Sequence, residues 1–176
     1  FQAFRHGLTI EQINELTKIH PWFLEQIYSI VEFEQQIKKY DLDYEFLLKA
    51  KRKGFTDDRI AKLKNSTEAE IKNIRQNLKL RPSFLQVDTC AGEFLSSTPY
   101  YYSTYWSHAE VEPPQKEIVA VIGSGPNRIG QGIEFDYSCV RGVKALQKLG
   151  NLVAMINSNP ETVSTDYDTS DYLFFE

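Results

Sequence analysis

The chain has 176 residues, 41% of them hydrophobic, and a formal net charge of −4. That is room for one or two small domains with real cores. The net charge is acidic and no run of Lys or Arg stands out, the charged stretch Lys49 to Lys53 reading as a solvated face or an interface rim, so the usual electrostatic footprint of nucleic-acid binding is lacking. No apolar stretch is long enough to span a bilayer as a helix, and no signal-peptide pattern opens the chain. Cys90 and Cys139 lie far apart without CxxC partners, which points to a reducing compartment and no disulfide framework. His6, His20 and His108 are scattered without metal-ligand spacing, so no metal site is expected.

From Phe1 to about Leu80 the apolar period is helical. Thr9 and Gln12 have the capping-box form, and Ile10, Ile13 and Leu16 give one apolar face. Pro21 suits the first turn of the next helix. Trp22, Phe23, Ile27, Ile30, Val31 and Ile37 then supply a broad stripe expected to be buried. Asp43 is placed to cap a third helix carrying Phe46, Leu47 and Ala50, and Gly54 to end it in the left-handed conformation. Thr56 opens a fourth helix through Ile60 and Leu63. Thr67 and Glu70 form a second capping box, leading to Ile71, Ile74 and Leu78. An echo links the stretch from Arg5 to Ile13 with that from Arg52 to Ile60. A duplicated helical hairpin explains it, and so does the coincidence of a Gly stop followed by a Thr start. Nothing in this half has a catalytic pattern; interleaved acids and bases read as solvated faces, and the aromatic-rich helices as a spacer or assembly surface.

Residues 81–116 lose helical periodicity and hold Pro82, Pro99, Pro113 and Pro114 with a dense set of rings at Phe94, Tyr100, Tyr101, Tyr102, Tyr105 and Trp106. An extended strap anchored by its rings is the expectation. A base-stacking platform would need interleaved cations, which this stretch lacks.

Glu117 to Ile122 is a β-branched run of buried-strand length. Gly123-Ser124-Gly125-Pro126-Asn127-Arg128-Ile129-Gly130 follows at once. A helix is expected from Gly132 or Ile133 through Leu149, with Val140, Val143, Ala145 and Leu146 inward, and Gly150 ends it. Leu152 to Asn157 is a second strand, and Tyr172 to Glu176 opens another. Strand, turn, helix and strand form a βαβ unit with parallel strands. The turn is the context of a dinucleotide fingerprint, and its N–H groups could face an anion. Arg128, however, stands where the third glycine belongs, and the second strand leads into Asn157-Ser158-Asn159-Pro160-Glu161 rather than a ribose-binding acid. Glu134, in a first helical turn, suits the helix dipole. Phe1 is not an initiator methionine, and the last strand has only begun, so the chain is expected to be a segment of a larger enzyme.

The run from Gly123 through Tyr137 closely resembles the large chain of the carbamoyl-phosphate synthetase family. So does Asn159-Pro160-Glu161-Thr162-Val163-Ser164-Thr165-Asp166-Tyr167-Asp168-Thr169-Ser170-Asp171. Matching stretches also occur at Val87 to Ala91, Tyr102 to Tyr105, Trp22 to Leu24 and Leu48 to Phe55. The resemblance implies a mixed fold: a helical oligomerisation domain over 1–82, a connector over 83–116, and the start of a Rossmann-like α/β pre-ATP-grasp domain over 117–176. It implies an enzyme that makes carbamoyl phosphate from bicarbonate, ammonia and two ATP, with Mg or Mn, for pyrimidine and arginine synthesis. Gly132, Glu134 and Glu161 are implied to line a carbamate tunnel, beside the turn of Gly123, Gly125, Asn127 and Arg128. Catalytic, nucleotide and metal ligands are implied to lie beyond this chain, which binds no cofactor itself and is inactive alone. Implied partners are the ATP-grasp domains of the same large chain, a glutaminase small subunit and further copies of the chain, with no nucleic acid and no membrane. The implied setting is cytoplasmic, with mitochondrial relatives also known. A nicotinamide-binding Rossmann-like module is the competing reading.

Overall fold

The computed structural model describes residues 1–108, 111, 115–126 and 132–175. They divide into two compact units, residues 1–81 and 82–176.

The first unit is helical: α1 (Gln2–Arg5), α2 (Ile10–Thr17), α3 (Pro21–Lys39), α4 (Tyr44–Arg52), α5 (Asp57–Lys64) and α6 (Glu68–Asn77). Hydroxyl and carboxylate caps set the starts. Thr9, Asp43, Thr56 and Thr67 accept N–H bonds from Gln12, Phe46, Arg59 and Glu70, satisfying donors that a helix start otherwise leaves unpaired. Thr9 and Thr67 complete reciprocal capping boxes. Pro21 occupies the first turn of α3, and the His20 Nδ1 accepts the Trp22 N–H.

The duplication is real. Helices α2 and α5 begin at Ile10 and Asp57, and α3 and α6 at Pro21 and Glu68, a constant offset of 47 positions. The same offset relates Gly7 to Gly54, both at φ +85°, and left-handed Lys18 to Asn65. It also relates buried Ile13 to Ile60 and Leu24 to Ile71. A chance Gly stop before a Thr start would not repeat the C-terminal caps and the second helix start as well.

The two copies differ in what covers them. Leu63 is 9% exposed, whereas its counterpart Leu16 is 76% exposed, contrary to the apolar face expected from Ile10, Ile13 and Leu16. Trp22 and Phe23 are also exposed, not part of the buried stripe. The inward face of α3 follows Leu24, Ile27 and Val31, a three-then-four spacing. Trp22 and Phe23 lie off that line and contact each other edge to face, with centroids 4.9 Å apart. The buried interior forms around Phe33, which stacks on Phe46 at 5.3 Å and tilts against Phe55 at 5.5 Å.

One buried acid crosslinks this unit. Glu34 receives Arg5 Nε and Nη2 at 3.0 and 2.8 Å, and Arg59 Nε and Nη2 at 3.1 and 2.6 Å. Burial pushes its carboxyl up, but the hydrogen bonds and charges of Arg5 and Arg59 outweigh that and hold it below the ordinary value.

The second unit is a five-stranded sheet. Its strands are β1 (Ser83–Gln86), β2 (Tyr100–Thr104), β3 (Ile118–Ile122), β4 (Leu152–Ile156) and β5 (Tyr172–Phe174), in the order β1-β2-β5-β4-β3. Only β1 and β2 pair antiparallel. Helix α7 (Ile133–Lys148) packs on β3 and β4. Val143 on α7, Val153 and Met155 on β4 and Leu173 on β5 form the core.

Three expectations are corrected here. The connector read as an extended strap between two neighbours is instead part of the sheet: it carries β1 and β2, which extend it from β5. The three consecutive tyrosines Tyr100, Tyr101 and Tyr102 give no period-2 signal, and the neighbouring Pro99 argues against a strand. The run before the turn, expected to be fully buried, is the edge strand β3, and its Ile122 is 77% exposed. Pairing on one side only removes half the cover that a central strand would have. Ala145, expected inward on α7, is exposed, while Val143 is fully buried.

Candidate functional site

The turn after β3 is locked to the end of β4 by hydrogen bonds from within the fold. The Gly123 N–H donates to the Ile156 carbonyl at 2.8 Å. A Cβ at Gly123 would stand 2.6 Å from Asn157 Cγ and 2.8 Å from Met155 Cε, closer than real contacts allow, so any larger residue must displace these buried side chains. Gly125 has φ +76°, the left-handed region that favours glycine. Its N–H donates to the Asn157 Oδ1 at 3.1 Å.

Asn157 is the hub of this region and is 3% exposed. Its backbone N–H donates to Phe174 of β5 at 3.0 Å. Its Oδ1 also accepts the Asn159 N–H at 3.3 Å, and its Nδ2 donates to the Ser164 Oγ at 3.2 Å. The Asn159 Oδ1 in turn accepts the Glu161 N–H at 3.0 Å, fixing the backbone there. The Ser164 N–H donates to the Asp136 Oδ2 at 3.0 Å. Asp136 is 3% exposed and belongs to the first turn of α7. These bonds satisfy polar groups that burial would otherwise penalise.

Gly132 is the N-cap of α7 and Glu134 lies in its first turn, with the carboxyl exposed. Glu161 is exposed on the segment after β4. Both carboxyls therefore sit on segments that leave the carboxyl ends of β3 and β4, the end where open α/β sheets place their ligands. The Asp136–Ser164 bond joins those two segments. Asn127 and Arg128 of the predicted turn lie outside the described residues.

Asn157 and Ser164 were not singled out by the sequence as site residues, and Asp136 stood out only as part of the motif that carries Glu134. A polar residue at the end of a strand carries no sign of burial, and only the fold shows that these three share one network. Asn157 also bears on the nicotinamide reading. It opens the polar stretch after the second strand, where that reading wants a ribose-binding acid, and its amide is buried and committed to the turn. The N–H groups of Gly123 and Gly125 are committed too, leaving neither for a phosphate. Among the described residues no three His, Cys, Asp or Glu side chains converge to hold a metal ion, and no helix is long and apolar enough to cross a membrane.

Residues 1–79 match the family model described as the carbamoyl-phosphate synthetase large chain, oligomerisation domain. Residues 115–176 match that of the carbamoyl phosphate synthase preATP-grasp domain. The carbamoyl phosphate synthase large chain of Streptomyces avermitilis is 52% identical over 99% of this chain and 16% of its own length. Those of Thermotoga neapolitana and Pasteurella multocida are 50% and 51% identical over 100% and 99% of this chain, and 16% and 17% of their own lengths. The chain thus spans about a sixth of the curated relatives it matches.

Proposed function

We propose that this chain, which belongs to the carbamoyl-phosphate synthetase large-chain family, supplies an assembly surface and part of the wall of a carbamate passage in a full-length synthetase. The observation that carries the reading is the internal commitment of the glycine turn. With Gly123 and Gly125 bound to Ile156 and Asn157, the described part of the turn is packed on the end of β4 and offers neither glycine N–H to a phosphate. Among the described residues at that end of the sheet, the Glu134 and Glu161 carboxyls are exposed, beside the side-chain-free Gly132.

That set suits a passage. Carbamate decomposes in water, so an enzyme that makes it in one place and phosphorylates it in another gains from a shielded path. Glycine leaves bore, and a carboxylate accepts hydrogen bonds from the amino group of the traveller. The whole enzyme would join bicarbonate, ammonia and two ATP, with Mg or Mn, on its ATP-grasp domains, and take ammonia from glutamine through a glutaminase subunit. We place no phosphoryl-transfer or metal-dependent step on the residues of this chain, and the setting we propose is cytoplasmic. For assembly, the helical unit offers the exposed apolar side chains of Leu16, Ile19, Trp22 and Phe23 to another copy or to the rest of the large chain.

The test is stoichiometric. In the full-length large chain, Glu134→Gln and Glu161→Gln should raise the ATP consumed per carbamoyl phosphate formed, because intermediate is lost on the way. An unchanged ratio in both variants contradicts the passage. Calorimetry of the 176-residue chain with NAD should show no binding; a saturable heat would restore the nicotinamide reading.

A further inference from the structure

We propose that Asp136 is a positioning residue that sets Glu134 and Glu161 against each other across the passage, an inference that rests on the reading above. Three observations lead to it. Asp136 lies two residues after Glu134 in the first turn of α7, and Ser164 three residues after Glu161. The buried Asp136 Oδ2 accepts the Ser164 N–H at 3.0 Å, a bond between residues 28 apart in sequence. Ser164, fully buried, is tied through its Oγ to Asn157, and Asn157 to Gly125 and Asn159, whose Oδ1 holds the Glu161 N–H.

One uninterrupted run of hydrogen bonds therefore leads from the turn, through the segment bearing Glu161, to the helix bearing Glu134. Among the described residues Asp136 is the link of this run to the first turn of α7; Lys144, further along the helix, separately holds the Asp168 carbonyl. A plain capping role does not account for this. The N-cap Gly132 has no side chain to cap α7, and yet the Asp136 carboxylate binds no N–H of its own helix among the described residues but a donor on another segment. A buried acceptor aimed at a backbone N–H is rigid, because moving it strands both partners away from water. The second oxygen, Oδ1, is enclosed without a protein donor among the described residues, so the carboxylate keeps a cost that a purely packing residue would avoid.

The experiment uses the full-length large chain with Asp136→Ala, Asp136→Asn, Asp136→Leu, Ser164→Ala and Glu134→Gln, reading ATP consumed per carbamoyl phosphate and, separately, the melting temperature. Asp136→Ala removes the acceptor and should raise the ratio severalfold. Asp136→Asn keeps an amide oxygen for the Ser164 N–H and should bring the ratio back toward the wild-type value. A merely structural role would move the melting temperature and leave the ratio alone. If Asp136→Ala stays coupled while Glu134→Gln leaks, the inference falls and the passage stands. If neither leaks, the passage itself falls. Should Asp136→Ala fail to fold, Asp136→Leu decides: it fills the space without an acceptor and must also raise the ratio, whereas Ser164→Ala, which keeps its N–H on Asp136, should stay nearer wild type; a coupled Asp136→Leu overturns the proposal.

Discussion

Replacing Gly123 with alanine is the sharpest probe of the turn. The added methyl would sit 2.6 Å from Asn157 Cγ, 2.7 Å from its Nδ2 and 2.8 Å from Met155 Cε. Met155 has a flexible end and could yield, but it is fully buried in the sheet core. Asn157 cannot yield cheaply, since shifting its amide strains its bonds to Gly125, Asn159 and Ser164. Overpacking costs about 1–3 kcal/mol, and one weakened hydrogen bond adds about 1 kcal/mol. The expected loss is therefore about 2–4 kcal/mol. Gly142 gives the control. It lies inside α7, and a Cβ there meets nothing within 4 Å. Gly142→Ala should stabilise by about 0.5–1 kcal/mol, from helix propensity alone. Amide hydrogen exchange at Val153 and Met155 of β4 reads both variants in the second unit without interference from the helical one. Exchange should speed by roughly thirty-fold or more in Gly123→Ala and slow in Gly142→Ala. A Gly123→Ala chain within about 0.5 kcal/mol of wild type would refute the packing argument and reopen the turn as a ligand site.

The duplicated hairpin predicts unequal costs at equivalent positions. Leu63→Ala should destabilise by about 2–4 kcal/mol, while Leu16→Ala should change denaturant stability by less than about 0.5 kcal/mol. Thr56→Ala should cost about 1 kcal/mol through its lost cap. Glu34 gives a pH prediction. Its folded pKa lies below the ordinary 4.5, so its contribution is present above that value and is lost as pH falls through the folded pKa. Acid titration of the helical circular dichroism should show Glu34→Gln less stable than wild type near neutral pH, with the gap closing as pH falls through the lowered pKa of Glu34; a gap independent of pH would remove the ion-pair explanation. Trp22→Ser with Phe23→Ser should leave the fold intact and weaken self-association in sedimentation. A pair that associates as wild type does would move assembly elsewhere.

Much of this was legible in the residues. Helix starts at Thr9, Pro21, Asp43, Thr56 and Thr67 follow from local capping chemistry, which needs no tertiary information. The βαβ unit followed from a β-branched run, a glycine turn and a helical period, and the long motifs around Gly123 and Glu161 carried the family. What the chain order could not show was cover. Trp22 and Phe23 look like core by type, and only the line of Leu24, Ile27 and Val31 shows which side of α3 turns inward. The run before Gly123 looks like a central strand, but strand order, set by pairing between distant segments, puts it at the edge. The consecutive tyrosines of β2 carry no period-2 signal, and the strand exists through its pairing with β5 and β1. At the site, Glu134 and Glu161 stood out as exposed acids in specific motifs. The network of Asn157, Ser164 and Asp136 beneath them had no such mark, because its members meet only when the strands are in register.

The most direct test of the passage is to fill it. At Gly132 a Cβ meets chiefly the flexible end of Glu134, 2.9 Å away, so a larger side chain can be accommodated by moving that carboxylate into the space proposed for carbamate. In the full-length large chain, Gly132→Phe should retain bicarbonate-dependent ATP hydrolysis and the phosphorylation of ADP by carbamoyl phosphate. It should lose net carbamoyl phosphate synthesis, which alone needs carbamate to travel between the two reactions. Full synthesis in Gly132→Phe, or loss of either partial reaction alongside it, would contradict a passage at this place.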